Sequence, residues 1–207
     1  MSASQNKLSI SPDGESFPLP EQADYAAEYE RVKALAEAAR AKGQEVVVVM
    51  GVGFVGAVMA AIVADCTDRD GRPSKFVIGC QRPSTRSFWK IPLLNRGVSP
   101  VKAEDPQVDV LIGRCVNDRK TLTATYNSQV IDLADCVVID VQCDFLKQEL
   151  GNMKSGECDM AALEATLKTV GQHIRPECLV LIETTVAPGT TEFVAWPILK
   201  KAFANRG

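Results

Sequence analysis

The residues with chemistry to offer sit where apolar runs end. The segment GVGFVG at 51–56 sets Gly51, Gly53 and Gly56 at G-x-G-x-x-G spacing, directly after EVVVVM and directly before the small apolar stretch 57–64. A glycine at the first position permits a tight turn. One at the second lets a diphosphate approach the main chain, and one at the third lets a helix pack closely on a strand. The helix that follows presents unpaired N–H groups and the positive end of its dipole to an anion. Gly51, Val52, Gly53, Phe54, Val55 and Gly56 are therefore the candidate cradle for the diphosphate of a dinucleotide. The pattern is weak alone and gains its force from the strand before it and the helix after it.

A second apolar run, 75–80, ends at Gln81 and Arg82. An acid at such a position binds the ribose hydroxyls of NAD, and an arginine receives the 2′-phosphate of NADP. Gln81 can hydrogen-bond a ribose hydroxyl. Arg82, with Arg86 nearby, can meet a phosphate or can be plain surface charge. These residues leave NAD and NADP both open.

The elements that must hold these groups follow from composition and periodicity. The chain has 207 residues, 46% hydrophobic and 24% charged, enough for one full core. Its net charge of -3 supplies no basic excess to neutralise nucleic-acid phosphates. No apolar run approaches the roughly 20 residues that span a bilayer, and residues 1–20 lack the apolar stretch of a signal peptide. A cytoplasmic protein without membrane or nucleic-acid partners is expected. The seven cysteines are odd in number and none forms C-x-x-C, so zinc, other metal sites and a disulfide framework are not expected; they read as structural thiols.

Residues 1–20 read as a loose arm. Segment 21–42 has helical spacing, with Tyr25, Val32, Leu35 and Ala39 on one face, and Gly43 ends it. Strands are predicted over 45–50, 75–80, 122–126, 136–141 and 178–183, and helices over 57–64 and 159–173. This alternation predicts an α/β protein with a Rossmann-type, doubly wound, mostly parallel sheet and helices on both faces, preceded by an N-terminal helix. The chain divides into 1–44, arm and helix, and 45–207, the dinucleotide-binding domain. The expected core includes Val47, Val49, Val77, Ile78, Val138, Ile139, Val180 and Leu181. His173, the single histidine, reads as a helix-end residue meeting carbonyls, and Trp89 and Trp196 as packing residues at an edge.

Several segments, taken in order, resemble the UDP-glucose/GDP-mannose dehydrogenase family. They are GVGFVGAV (51–58), IPLLNRGVSP (91–100) followed by EDP (104–106), LTAT (122–125), ADCVVI (134–139) and ETTVAPGTTE (183–192). The last is close to the family's E-S-T-V-P-P-G-T-T, and the resemblance runs over about 45–201. It implies NAD as cofactor and a nucleotide sugar as substrate, with the C6 alcohol of a UDP- or GDP-hexose oxidised to a carboxylate. Two hydride transfers and a covalent cysteine adduct would accomplish this, in a homo-oligomeric enzyme of polysaccharide biosynthesis.

By the same resemblance Thr185 matches the threonine beside the nicotinamide that positions a catalytic water, and Glu183 ends the same strand at the site. Cys143 takes a cofactor-side position but not that of the nucleophile. The family's P-T-P turn reads Gln142, Cys143, Asp144 and Phe145 here. The family's nucleophile and its central and C-terminal substrate domains lie outside this sequence, so the chain is expected to be inactive alone. Two other readings compete: a stand-alone, non-catalytic dinucleotide-binding module, and a domain of another Rossmann dehydrogenase such as the β-hydroxyacid group.

Overall fold

The computed structural model describes residues 7–152 and 155–206. Two short strands, β1 (Leu8–Ile10) and β2 (Ser16–Pro18), precede α1 (Asp24–Arg40). Then come β3 (Glu45–Met50), α2 (Phe54–Ala64), β4 (Lys75–Cys80), α3 (Lys90–Asn95), α4 (Gln107–Gly113), β5 (Leu122–Thr125) and β6 (Cys136–Ile139). The chain continues through β7 (Asp144–Leu146), β8 (Glu157–Asp159), α5 (Ala161–His173), β9 (Leu179–Ile182) and α6 (Trp196–Ala204). The central sheet has the order β5-β4-β3-β6-β9, and every pairing in it is parallel. The expected doubly wound architecture is what the chain adopts.

The valine run of β3 is apolar on both faces because both faces are covered. Val47 and Val49 point toward Ala57, Ala60, Ala61 and Ala64 of α2, whose small side chains let the helix lie close. Val46 and Val48, with Phe76 and Ile78 of β4, face the opposite layer of α1 and α5. There Val32, Ala36 and Ala39 belong to the same cluster as Leu163, Leu167 and Val170. Burial of each larger aliphatic side chain stabilises the fold by about 1.5–3 kcal/mol. The crossover from β5 to β6 contains only a short 3₁₀ turn, Ser128–Leu133. The layer that a crossover helix would form is supplied instead by α1, from the other end of the chain.

Four expectations need correction. Leu35 is 40% exposed and Ala36 takes its place in the core, because α1 is rotated so that alanines approach the sheet. Residues 8–18 are not loose: β1 and β2 pair antiparallel, and the buried Ser9 hydroxyl accepts the Trp89 N–H at 3.1 Å. A bidentate pair between Arg96 and Glu15 holds the same hairpin. Residues 1–6 of the expected arm lie outside the described residues. Leu181 is exposed and Val180 only half-buried, since β9 is an edge strand and one of its faces has no cover. Trp89 is buried as expected, whereas Trp196 is exposed.

At the other edge, the Asn95 side chain acts as a substitute strand for β5. Its Oδ1 accepts the Ala124 N–H at 2.6 Å and its Nδ2 donates to the Ala124 carbonyl at 2.9 Å. Arg31 donates to the same carbonyl at 3.1 Å. The free edge is thereby blunted against pairing with another chain.

The opposite end of the sheet is tied by Asp135. One carboxylate oxygen accepts the Val46 N–H at 2.8 Å, and the other accepts from Arg40 at 3.0 Å and Arg175 at 2.7 Å. Burial alone would raise this carboxyl, but the N–H and the two guanidinium groups outweigh it and hold it below its ordinary 3.8. A depressed acid stabilises the fold above its ordinary value, and that stabilisation is lost as pH falls through the folded value. Asp135→Ala also leaves the buried Val46 N–H without its acceptor, which should cost about 1–3 kcal/mol at pH 7. Urea denaturation should show that difference shrinking as pH is lowered below 3.8; a gap that stays constant with pH would refute the clamp.

Candidate functional site

The strand order reverses direction between β3 and β6. The connection after β3 leads to β4 on one side, and that after β6 leads to β9 on the other. The crevice beyond the carboxyl ends of two such strands is where open α/β sheets bind ligands. The glycine loop lies there.

The three glycines do different things. Gly51 has φ 102°, and a Cβ on it would strike the carbonyl oxygen of Asp140. A Cβ on Gly56 would strike the Gly51 carbonyl and come within 2.7 Å of the Asp140 carboxylate. These two serve close packing of α2 on β3 and β6. Gly53 has an ordinary φ of -80°, and a Cβ there would meet nothing within 4 Å. Its missing side chain therefore leaves open space rather than relieving strain, as a diphosphate position requires. The first bond within α2 runs from the Ala57 N–H to the Gly53 carbonyl at 3.1 Å. The earlier N–H groups of Phe54 and Val55 have no intrahelical acceptor by helix geometry, and both side chains are exposed.

Gln81 leans toward this loop. Its Oε1 accepts the Val52 N–H at 3.1 Å, and its Nε2 lies 3.4 Å from the Ser87 hydroxyl. The amide braces the turn from the β4 side. Arg82 and Arg86 are exposed beside it.

From the other side come β6 and β9. The Glu183 N–H donates to the Ile139 carbonyl at 2.9 Å, which brings Glu183 alongside Asp140. Thr184, rather than Thr185, joins the two strands: its hydroxyl accepts the Val141 N–H at 3.0 Å and donates to the Val141 carbonyl at 2.8 Å. The Glu183 and Thr185 side chains are exposed at this edge. Cys143, half-buried, lies beyond the Asp140 turn and packs on β8 rather than on the loop.

Asp140 is a site residue that the residue patterns did not single out, although a charge at the end of the apolar run 136–139 was a visible signal. Burial raises its carboxyl above the ordinary value, the Gly56 N–H pulls it down, and the charge of Glu183 raises it again. Two concavities of about 380 and 400 Å³, beside the 97–103 loop and beside β5, do not adjoin the glycine loop. The switch-point crevice is the better candidate, because open α/β sheets bind ligands there. Among the described residues no cluster of His, Cys, Asp and Glu could hold a metal, and no helix is long and apolar enough to cross a membrane.

The model of the UDP-glucose/GDP-mannose dehydrogenase family, NAD binding domain, matches residues 45–207. The chain belongs to this family. The resemblance carried by the glycine loop and by ETTVAPGTTE is thus borne out, and the cofactor type of the domain is NAD. A solved relative, an NDP-N-acetyl-D-galactosaminuronic acid dehydrogenase from Methanosarcina mazei Go1, is 34% identical with a TM-score of 0.67; the match covers 81% of this chain and 33% of that one. A GDP-mannose 6-dehydrogenase of Pseudomonas savastanoi pv. phaseolicola is 27% identical over 155 residues, 73% of this chain and 31% of the relative. The UDP-glucose 6-dehydrogenase TuaD of Bacillus subtilis (strain 168) is 26% identical over 160 residues, 77% and 30% of the two chains. The chain therefore spans about a third of the length of these family members.

The pH response of Asp140 tests the geometry of the loop. Its raised folded value means that its own contribution to stability is fully present below 3.8 and is lost as pH rises through the folded value. Asp140→Asn keeps an acceptor for the Gly56 N–H and removes the charge. It should stabilise the protein at pH 7 by roughly 0.5 kcal/mol, a small figure because solvent screens a half-buried carboxylate. Melting curves at pH 7 and pH 3 should show a gain at the first and none at the second; a loss at pH 7 would mean that the carboxylate is needed in its charged form.

Proposed function

We propose that this chain is the cofactor-holding part of a nucleotide-sugar 6-dehydrogenase, which oxidises the C6 alcohol of a UDP- or GDP-hexose to a carboxylate. The observation that carries the reading is the open space at Gly53, at the head of α2, between two glycines whose close contacts fix the turn. The main-chain N–H groups of Phe54 and Val55 would hold the diphosphate. Gln81, a neutral amide at the end of β4, would face the adenosine ribose, with Arg82 beside it. NAD, when bound, supplies the hydride acceptor. Glu183 and Thr185 stand at the end of β9, on the nicotinamide side, where a hydroxyl can donate and accept at once and so position a water. Cys143 belongs to the neighbouring turn and is not assigned the nucleophile's role.

Residues 45–207 form the dinucleotide-binding unit in this reading, and 1–44 contribute the N-terminal hairpin and the covering helix α1. The sugar-reading residues and the catalytic cysteine of the whole enzyme would lie outside these 207 residues, so this chain should bind cofactor without turning over substrate. The exposed apolar residues Leu179, Leu181, Phe193 and Trp196 support a unit that works in an assembly, proposed to be a cytoplasmic homo-oligomer serving polysaccharide synthesis.

Calorimetric titration of the chain with NAD and NADP tests the reading. NAD should bind more tightly than NADP, and Gly53→Val should weaken NAD on the order of 100-fold or more. The melting temperature should hold, because a Cβ added at Gly53 meets no protein atom within 4 Å. Undiminished binding by the variant would overturn the diphosphate assignment. In the whole enzyme, Thr185→Ala should lower kcat on the order of 100-fold with little change in NAD affinity, as expected for a water-positioning group.

A further inference from the structure

The described residues bring one pair of thiols into direct contact. The Cys143 and Cys158 sulfurs are 3.2 Å apart, and the Met160 sulfur lies 3.5 Å from the first and 3.4 Å from the second. The contact is built by the β7–β8 hairpin, in which Asp144 pairs with Asp159 and Phe145 with Cys158. That register sets Cys143, one residue before β7, diagonally across from Cys158 on one face of the ribbon. Both thiols are half-buried, so a small reagent can reach them. The other five cysteines differ: Cys80 and Cys115 are buried, Cys66 is exposed, and Cys136 and Cys178, half-buried at the starts of neighbouring strands, interact through charge without the direct sulfur contact of Cys143 and Cys158.

We propose that Cys143 and Cys158 are a modification site, a reversible disulfide formed by exchange with a small-molecule disulfide such as oxidised glutathione. One thiol loses its proton and attacks a glutathione sulfur, releasing one glutathione thiol. The second thiol then loses its proton, displaces the other glutathione, and closes the protein S–S bond. Two S–H bonds are exchanged for one S–S bond, and the two electrons end in two molecules of reduced glutathione. Burial, the neighbouring Cys158 and the carboxylates of Asp144 and Asp159 push the Cys143 thiol up to about 11, so at neutral pH Cys143 rests as a thiol.

The bond would have a structural consequence. Cys143 ends the turn that begins at Asp140, and the Asp140 carbonyl abuts Gly51. A staple to Cys158 would fasten that turn to the strand leading into α5. In the cytoplasmic location proposed above, such a disulfide is redox-responsive rather than structural.

Peptide mapping of the full chain tests this directly. The protein is equilibrated in mixtures of oxidised and reduced glutathione, quenched with an alkylating agent and digested. A linked peptide joining Cys143 to Cys158 should appear and should vanish with dithiothreitol. It should be half-formed at an oxidised-to-reduced ratio on the order of tenfold below that needed to glutathionylate Cys66, because ring closure is intramolecular. In Cys143→Ser, Cys158 should carry glutathione instead of a protein crosslink. Alkylatable Cys143 and Cys158 at ratios that modify Cys66, or a different preferred pairing, would overturn the proposal. The wild-type map decides the matter even if the variant fails to fold.

Discussion

Three stretches of main chain converge where β3 becomes α2, and they can do so because two residues there have no side chain. The Gly51 carbonyl, the Asp140 carbonyl and the first turn of α2 occupy space that a single methyl group at Gly51 or Gly56 would need. The approach fixes the axis of α2 relative to β3 and β6, and so aims the head of the helix at the crevice. Around this point the side chains are braces. Gln81 holds the Val52 N–H from one side, and Thr184 ties the neighbouring strand from the other. Gly53 stands apart, since nothing in the protein needs it to be glycine. A residue with no close contact to relieve, inside a turn where its two fellow glycines have such contacts, supports the proposed diphosphate position.

The cost of this arrangement falls on Asp140. Its carboxylate lies against the opening of α2, where the helix dipole and an N–H group favour negative charge, yet burial and Glu183 disfavour it. A second anion at the same helix head would add to the repulsion.

Much of this is legible in the amino-acid sequence. The valine run and the glycine spacing located β3, α2 and their junction, because burial on both faces and a missing Cβ each leave a compositional trace. The expected ends of β5, β6 and β9 run one or two residues past the ladders, which stop at Thr125, Ile139 and Ile182. Asp140 and Thr184 were missed for a different reason. Each acts through a contact between segments far apart in sequence, 140 with 56 and 184 with 141, and no local period encodes such a contact. Leu35 and Leu181 failed in the opposite direction: both are apolar residues that burial did not claim, one because α1 turns alanines inward, the other because β9 has no neighbour beyond it. The hairpin of residues 8–18 was hidden by its composition, since Ser9 and Glu15 are held by Trp89 and Arg96 rather than by an apolar pattern of their own.

The helix α1 separates two notions of where the unit begins. Likeness to the family starts at residue 45, whereas the apolar lid over Val46, Val48, Phe76 and Ile78 is already in place by Val32. Anyone grafting residues 45–207 onto another polypeptide would carry over the whole nucleotide cradle and leave its roof behind. The bared valines and phenylalanine would then be a sticky surface on an otherwise intact module, and the new host would have to bring a helix of its own to close it.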